Sequence, residues 1–455
     1  MNLAVQRLKA LRYHLPLKWW ASRTYHNTTA LLRESQKWTS DQLAEHQTAE
    51  LRKMLSHCAL NVPYYRGLFR KVGFDPQQLR RTDDLAQLPF LDKDTVLSRT
   101  SQLLAENIAE SKRCYYTTGG TSGRPLGLYG SIDGGWRELA FMHAQWSRVG
   151  FHPDDWRAVL RGATVSSPEH WARDVAQRAF LFSNFHMTPR VSAGYVQAIK
   201  CHRPPYFHSY PSALLDFARL LKEQGLEPPH FRAILAGSEN IYPGQREAIE
   251  SFYGCRMFSW YGHSENVVLA GECEQSNCYH VFPEYGVAEL IRDDGRPAVE
   301  EGEIGTLVGT SLYNAIMPLV RYRTGDYAVV GPKSCSCGRN YRLLRETRGR
   351  WRQEMMVGRL GNLISITALN MHTNIFERVR QFQFYQREKG RVQLRLVRKP
   401  DYTELDSAAI LQALRAKMGD SMEIDLVFLD EIPQTVRGKF RFIVQDLHSL
   451  PDASA

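Results

Sequence analysis

The chain has 455 residues, of which 43 % are hydrophobic and 23 % are charged, with a formal net charge of +10. This composition excludes intrinsic disorder, and the length predicts at least two domains, because single cores rarely exceed about 250–300 residues. No apolar run approaches the roughly 18 residues of a membrane-spanning helix, and no secretory signal is present. We therefore expect a cytoplasmic protein, whose positive charge favours anionic partners.

The N-terminal part of the sequence carries a helical pattern. Apolar residues recur at helical spacing until Pro63 stops the pattern, at Leu51, Met54, Leu55, Cys58 and Val62. We expect about the first 110 residues to be mainly helical. Basic residues interleave with leucine and tryptophan near the start, and no acidic residue precedes Glu34. This segment could contact an anionic membrane as a peripheral helix, but we favour a solvated helix that caps the fold.

Residues 114–331 alternate apolar runs with glycine turns and helical stretches. The runs Ala233–Leu235, Val267–Ala270 and Thr306–Val308 have the length of strands, whereas Pro211–Leu221 and Pro243–Phe252 have helical spacing. This alternation is typical of an α/β fold. We predict a large N-terminal α/β domain of mixed sheets and helices over residues 1–357.

A smaller C-terminal unit follows a glycine-bearing segment. Gly358, Arg359 and Gly361 lie in the predicted hinge at residues 358–364. Beyond it, apolar residues alternate from Val392 to Leu396, a helical face follows from Ile410 to Met418, and alternation resumes at Ile424. The pattern predicts a small mobile α+β domain over residues 365–455.

The segment Thr117–Pro125 is rich in groups that bind anions. Its three glycines let backbone N–H groups approach an anion closely, and hydroxyls and an arginine add donors. A hairpin turn rich in glycine and threonine is the alternative, and the segment is not a Walker loop. The candidate phosphate-binding residues are Thr118, Gly119, Gly120, Thr121, Ser122, Gly123 and Arg124.

Two later segments place a carboxylate close behind an aromatic residue. In Trp260–Glu265, Tyr261 could stack on a purine and Glu265 could hold Mg²⁺ against phosphate oxygens. In Tyr322–Asp326, the aspartate follows a glycine turn and could accept hydrogen bonds from ribose hydroxyls. A core aromatic pair and an Asx-type turn are the respective alternatives.

A fourth segment, Pro433–Arg441, carries Lys439 on a loop of the small domain. A lysine on such a loop could neutralise charge that develops on a reacting phosphorus. Taken alone, a solvated surface lysine is the simpler interpretation.

All four segments together resemble the motifs of the adenylate-forming superfamily of acyl-CoA synthetases, adenylation domains and luciferases. Thr118–Pro125 is similar to its phosphate loop, Tyr261–Glu265 to Tyr-Gly-x-Thr/Ser-Glu, Tyr322–Asp326 to Tyr-Arg-Thr-Gly-Asp, and Pro433–Arg441 to Pro-x-Thr-x-x-Gly-Lys-x-Arg. The motifs occur in family order. The short chain, the segment Asn61–Arg66 and a cysteine cluster resemble the phenylacetate–CoA ligase and CapK-like branch most closely.

The resemblance implies a role for each matching residue. Lys439 and Glu265 are the expected catalytic residues, and Glu265 would position Mg²⁺. Thr118–Arg124 would hold the phosphates of ATP, and Arg359 would contact ribose or the hinge. The other expected nucleotide-binding residues are Gly237, Ser238 and Glu239 beside adenine, Tyr261, Gly262 and Ser264 of the second motif, and Asp326 on ribose.

Three places depart from the family pattern. Gly119 replaces the usual serine, and Arg124 replaces lysine while keeping its charge. The family hinge carries aspartate after Gly-Arg-x, where this chain has Gly361 and Asn362. This change in the hinge bears on the domain rotation that follows adenylation in the family.

Four of the eight cysteines cluster in two stretches, Cys273–His280 and Cys335–Cys337. Soft thiolates and an imidazole from two loops suit a structural Zn²⁺ site, although free thiols or a redox pair are alternatives. By resemblance to related ligases, the ligands are Cys273, His280, Cys335 and Cys337, with Cys278 as a spare. We expect the isolated cysteines to be small buried residues: Cys58, Cys114, Cys201 and Cys255.

The function that these patterns favour is ATP-dependent activation of a small carboxylic acid, followed by transfer to coenzyme A. An amine, a sugar or a carrier protein is the alternative acceptor, and a zinc-stabilised nucleic-acid-binding protein is a remote alternative that lacks any recognisable signature. We expect no nucleic-acid partner. A pocket with aromatic and polar walls is predicted from Tyr206–Tyr210, His143, Trp146 and Trp260.

Overall fold

The computed structural model describes residues 12–117, 126–161, 163, 165, 167–348, 355–359, 363–365, 374–376, 378–418, 422–433, 440–441 and 443–447. Tertiary contacts divide the chain into two compact units. The larger comprises Met1–Asn240 with Glu250–Gly349, and the smaller comprises Ile241–Ile249 with Arg350–Ala455. The domain bounds 1–357 and 365–455 and the hinge at 358–364 stay predictions.

Helices build the N-terminal part of the larger unit, and polar side chains fix where they begin. Ser22 and Thr39 each accept a hydrogen bond from a backbone N–H three residues later, which satisfies a donor of the first helical turn. Pro63 cannot continue the helix before it and instead opens the next one. The α-helices span Arg23–Ser35, Ser40–Asn61, Pro63–Val72, Lys93–Ser98, Ile132–Trp146, Pro189–His202, Pro211–Glu223, Gln245–Tyr253 and Glu404–Met418.

Over the described residues, a twelve-stranded mixed sheet forms the centre of the larger unit, in the order β11-β12-β13-β14-β10-β9-β8-β7-β6-β3-β5-β4. A separate hairpin pairs β1 with β2. The strands of this unit are β1 Cys114–Thr117, β2 Gly127–Gly130, β3 Arg157–Leu160, β4 Trp171–Asp174, β5 Ala179–Phe182, β6 Tyr206–Ser209, β7 Ala233–Gly237, β8 Arg256–Gly262, β9 Leu269–Gly271, β10 Tyr279–Val281, β11 Gly286–Ile291, β12 Ile304–Ser311, β13 Tyr322–Val330 and β14 Leu343–Arg348.

The sheet has a parallel part and an antiparallel part. Strands β3, β6, β7 and β8 are parallel neighbours, with helices in the connections between β6, β7 and β8. Every residue of β6 and β7 is buried, as expected for strands covered on both faces. Strands β8 to β14 pair antiparallel. The predicted α/β class with mixed sheets is confirmed.

The smaller unit is α+β. A hairpin joins β15 to β16, and a four-stranded sheet has the order β19-β18-β17-β20. The alternating Val392, Leu394 and Leu396 of β18 are buried against one face of the helix Glu404–Met418. The strands are β15 Met355–Val357, β16 Leu363–Ser365, β17 Val379–Glu388, β18 Arg391–Arg398, β19 Glu423–Phe428 and β20 Ile443–Gln445.

Two surface features qualify the sequence-based expectations. Cys58 is buried as predicted, but Cys114 and Cys201 are exposed, because Cys114 opens the hairpin and Cys201 lies near the end of an amphipathic helix. Near the N-terminus, Leu17 is buried against Tyr25, whereas Trp19 is 70 % exposed. Both interpretations of the N-terminal segment stay predictions. No helix among the described residues is long and apolar enough to cross a membrane.

Candidate functional site

The carboxyl ends of four of the five parallel strands bring polar residues together in the larger unit. Arg161 follows β3, Tyr210 follows β6, Ser238 follows β7 and His263 follows β8. These strands are parallel neighbours, so their ends share one edge of the sheet. Open α/β sheets bind ligands at this edge, beyond the carboxyl ends of the strands.

The second and third predicted motifs exchange hydrogen bonds. Tyr261 Oη donates to Asp326 Oδ2 at 2.8 Å, and Tyr322 Oη donates to Glu265 Oε1 at 3.3 Å. Thus the tyrosine of each motif holds the carboxylate of the other. Burial, and next the charge of Asp326, hold the pKa of Tyr261 well above its usual value of 10, so this phenol stays a donor.

Glu265 is almost completely buried and has a second neighbour on its own loop. The Nδ1 atom of His263 lies 3.1 Å from Glu265 Oε2. The backbone around this carboxylate adopts unusual conformations, since Asn266 has a φ of 53° and Arg321, just before Tyr322, has a φ of 52°. Positive φ in non-glycine residues is costly and concentrates at functional sites.

The loop after β7 is shaped by close packing. Gly237 lies opposite Trp260 in the β7–β8 ladder, and a Cβ at residue 237 would come within 2.8 Å of the indole ring. Glycine is therefore required there. Ser238 follows with a φ of 67°. Glu239 then accepts hydrogen bonds from Ser212 N and Oγ, which places its carboxylate at the start of the helix Pro211–Glu223.

The residues of the predicted aromatic pocket form one chain of ring contacts, in which His143 packs against Trp146 with ring centroids 6.1 Å apart. His208 packs against Trp146 and Trp260 with ring centroids 5.2 and 5.4 Å away, next to the carboxyl edge of the sheet. At the other end of this chain of rings, the Nδ1 atom of His143 lies 2.9 Å from Tyr25 Oη of the helix Arg23–Ser35. Burial lowers the pKa of His143 to about 3, so this imidazole is neutral in the core.

The four predicted zinc ligands lie together in the larger unit. Ligand atoms of Cys273, His280, Cys335 and Cys337 all lie within 4.8 Å of one another. His280 Nδ1 is 3.1 Å from the carbonyl oxygen of Cys278, which leaves Nε2 directed at Cys337 Sγ, 3.2 Å away. Three thiols and one oriented imidazole suit a tetrahedral metal such as Zn²⁺. Cys278 is not part of this set.

Comparisons with known proteins find similar sequences over most of the chain. A family model described as the CapK C-terminal domain matches residues 356–446. The chain is 24 % identical to phenylacetate-coenzyme A ligase of Thermus thermophilus over 74 % of this chain and 75 % of the relative. The enzyme of the same name from Pseudomonas putida is 28 % identical over 66 % of this chain and 70 % of the relative. Protein CapK of Staphylococcus aureus is 20 % identical over 94 % of this chain and 93 % of the relative.

The CapK C-terminal match and these relatives support a resemblance of the chain to the phenylacetate–CoA ligase and CapK-like branch of the adenylate-forming superfamily. The fold of the chain is that of a 2-hydroxyisobutyryl-CoA ligase whose crystal structure is in the postadenylation state in complex with R3-HIB-AMP. That structure has a TM-score of 0.71 and 20 % identity, and the match covers 90 % of this chain and 91 % of the ligase.

Not every predicted site residue belongs to the part of the larger unit described above. The phosphate-loop residues Thr118–Arg124 and Lys439 lie outside the described residues. Arg359 is described in the smaller unit, where its Cα would lie 2.8 Å from a Cβ at Gly390. Gly262 ends β8, and Ser264 lies between His263 and Glu265.

Sequence analysis missed two groups near Glu265. Tyr285 Oη donates to Glu138 Oε2 at 2.7 Å, and burial raises the pKa of Glu138. Burial raises the pKa of Tyr116 to about 12, and the charges of Glu265 and Glu138 add to that rise. Glu138 belongs to no motif. The only signal in the sequence is its place on the helix Ile132–Trp146, which follows the phosphate loop.

Proposed function

We propose that this adenylate-forming chain activates a carboxylic acid with ATP and passes the acyl group to coenzyme A. The exchange of hydrogen bonds between the Tyr261–Glu265 and Tyr322–Asp326 motifs is the observation that carries the proposal. It holds two carboxylates in fixed orientations within the larger unit. The names of the relatives, which are coenzyme A ligases, support the same reaction.

In the first step, a carboxylate oxygen of the acid attacks the α-phosphorus of ATP, and the bond to pyrophosphate breaks. Asp326 is proposed to accept hydrogen bonds from ribose hydroxyls, because its orientation is set by Tyr261. Glu265 is the proposed Mg²⁺ ligand, and the bound ion would neutralise phosphate charge. Lys439 and Thr118–Arg124 are proposed to stabilise the charge that develops at phosphorus.

In the second step, the thiol of coenzyme A attacks the acyl carbon and AMP leaves, while the thiol proton goes to solvent. An amine or a carrier-protein thiol remains the alternative acceptor, because this chain has Gly361 and Asn362 where the family hinge has aspartate. Mass spectrometry of reactions with and without coenzyme A tests the acceptor. An acyl-CoA mass supports the proposal, whereas acyl-adenylate that accumulates equally in both reactions would move the acceptor to an amine or a carrier.

We also propose that Cys273, His280, Cys335 and Cys337 hold one structural Zn²⁺. Their ligand atoms lie close enough to surround a single ion. The ion would join the loop after β9 to the loop between β13 and β14. With four protein ligands it would have no open position, so its contribution would be to folding and not to catalysis.

A further inference from the structure

Arg161 is held at the carboxyl edge of the sheet by three neighbours that lie on β6 or directly after β6 and β7. Its Nη2 donates to Ser238 Oγ at 2.8 Å, and its Nη1 contacts His208 Nε2. The guanidinium carbon lies 5.1 Å from the centre of the Tyr210 ring. These contacts fix the side chain beside the loop Gly237–Glu239, so it is preorganised and does not sample solvent freely.

None of these neighbours compensates the positive charge of Arg161. A hydroxyl, an imidazole and an aromatic ring are its contacts, and no carboxylate pairs with it in the described part of the chain. Burial, together with Arg161 and Arg157, holds the pKa of His208 well below 6.5, so the imidazole adds no compensating charge. Two of the five guanidinium N–H groups are used, which leaves three for a ligand.

The surroundings favour an organic anion over the phosphates of ATP. His208 connects Arg161 to the buried rings of Trp146 and Trp260, so the guanidinium borders an aromatic cluster. Strand β3 is three strands away from β8, the strand that leads to Glu265. At a spacing of about 4.8 Å per strand, the two strand ends are about 14 Å apart.

We propose that Arg161 is a specificity-determining residue that binds a second anionic group, a carboxylate above all, carried by the acid substrate. The inference rests on the proposed function, since it assumes that the acid is bound at this edge. A guanidinium recognises a carboxylate through two parallel hydrogen bonds, which a lysine cannot reproduce. The substrate would therefore be an acid with an aromatic or apolar body and two anionic ends.

Two probes that differ by one group test the proposal, namely phenylacetate and 4-carboxyphenylacetate. Their KM values are measured by pyrophosphate release, and their Kd values by calorimetry without ATP, for the parent, Arg161→Met and Arg161→Lys. Arg173→Met is the matched control. Arg173 lies on the outermost strand β4, and its guanidinium packs over the ring of Trp156, so it is an arginine beside an aromatic ring away from the site. Melting temperatures verify that each variant folds.

We expect the parent to favour 4-carboxyphenylacetate, and Arg161→Met to raise its KM and Kd by on the order of 10- to 100-fold. The KM values of phenylacetate and ATP should change less than about threefold, Arg161→Lys should recover only part of the loss, and Arg173→Met should behave as the parent. Equal losses for both acids, or a raised KM of ATP alone, would overturn the proposal. If the calorimetric difference appears without any pyrophosphate release, the anion subsite stands and the proposed reaction fails. Pyrophosphate release without a calorimetric difference between the two acids would support the proposed reaction and overturn the anion subsite.

Discussion

Tyr261 donates a hydrogen bond of 2.8 Å to Asp326, although 65 residues separate them in the chain. In the same way, Tyr322 of the Tyr322–Asp326 motif donates a hydrogen bond to Glu265 of the Tyr261–Glu265 motif. The two motifs therefore depend on each other, because loss of either tyrosine frees a carboxylate that belongs to the other motif. This dependence links two strand ends that the proposed nucleotide site would use together.

Tyr261→Phe should raise the KM of ATP by about three- to tenfold, which corresponds to roughly 1 kcal/mol for one hydrogen bond. The substitution keeps the ring and removes only the donor to Asp326. Tyr253→Phe is the control, since the Tyr253 hydroxyl is also buried but donates to the carbonyl oxygen of Leu214. Steady-state kinetics with varied ATP check the prediction, and an unchanged KM in Tyr261→Phe would show that Asp326 does not hold the ribose.

Lys439→Ala should lower the rate of adenylation by about 10²- to 10³-fold, because it removes one preorganised electrostatic contact with the transition state. Binding of ATP should change little. Lys389→Ala, in the exposed turn between β17 and β18, is the control of the same charge. A pyrophosphate-exchange rate within about threefold of the parent would remove Lys439 from the catalytic residues.

Cys335→Ser should lose zinc and melt at a lower temperature, because metal binding that links two loops contributes to folding. Cys278→Ser should keep the metal, since Cys278 is not among the four clustered ligands. Cys201→Ser controls for loss of an exposed thiol. Elemental analysis of protein purified without chelator provides the measurement, and absence of zinc from the parent would contradict the assignment.

Stability should fall as the pH drops below about 6.5, in part because of His143. The pKa of His143 is about 3 in the folded chain, so between these values the unfolded state binds the proton and the folded state does not. Each histidine of this kind contributes about 1.4 kcal/mol per pH unit to the slope of the free energy of unfolding in that pH range. His143→Gln should flatten the slope of the free energy of unfolding between pH 6.5 and 5. An unchanged slope would show that His143 is not responsible.

The fold class could be predicted because the spacing of apolar residues and the positions of turn residues indicate where strands and helices lie. Pro63 marked a helix boundary, and the alternation from Val392 to Leu396 marked a buried strand. Motif matching named Tyr261, Glu265 and Asp326, which the fold brings together. It could not reveal that Tyr261 and Tyr322 hold opposite carboxylates, because strand register is a tertiary property.

Residues outside motifs escaped prediction for the same reason. Arg161 and Glu138 acquire their surroundings only when β3 and the helix Ile132–Trp146 pack in the larger unit. The exposed Cys114 and Cys201 were wrong predictions, because cysteine is buried on average and residue type alone does not report local exposure. His143 and Trp146 were assigned to one pocket, and their rings are in contact, but both side chains are buried, so whether they line a pocket stays a prediction.

Acid-dependent exchange of labelled pyrophosphate into ATP tests the central claim most directly. A panel of carboxylic acids that includes phenylacetate and 4-carboxyphenylacetate is offered to the parent and to Asp326→Asn. We expect exchange that requires both an acid and Mg²⁺. We also expect a loss of at least about tenfold in Asp326→Asn, because the amide cannot replace both acceptor oxygens of the carboxylate. Exchange that is absent with every acid, or that persists unchanged in Asp326→Asn, would contradict it.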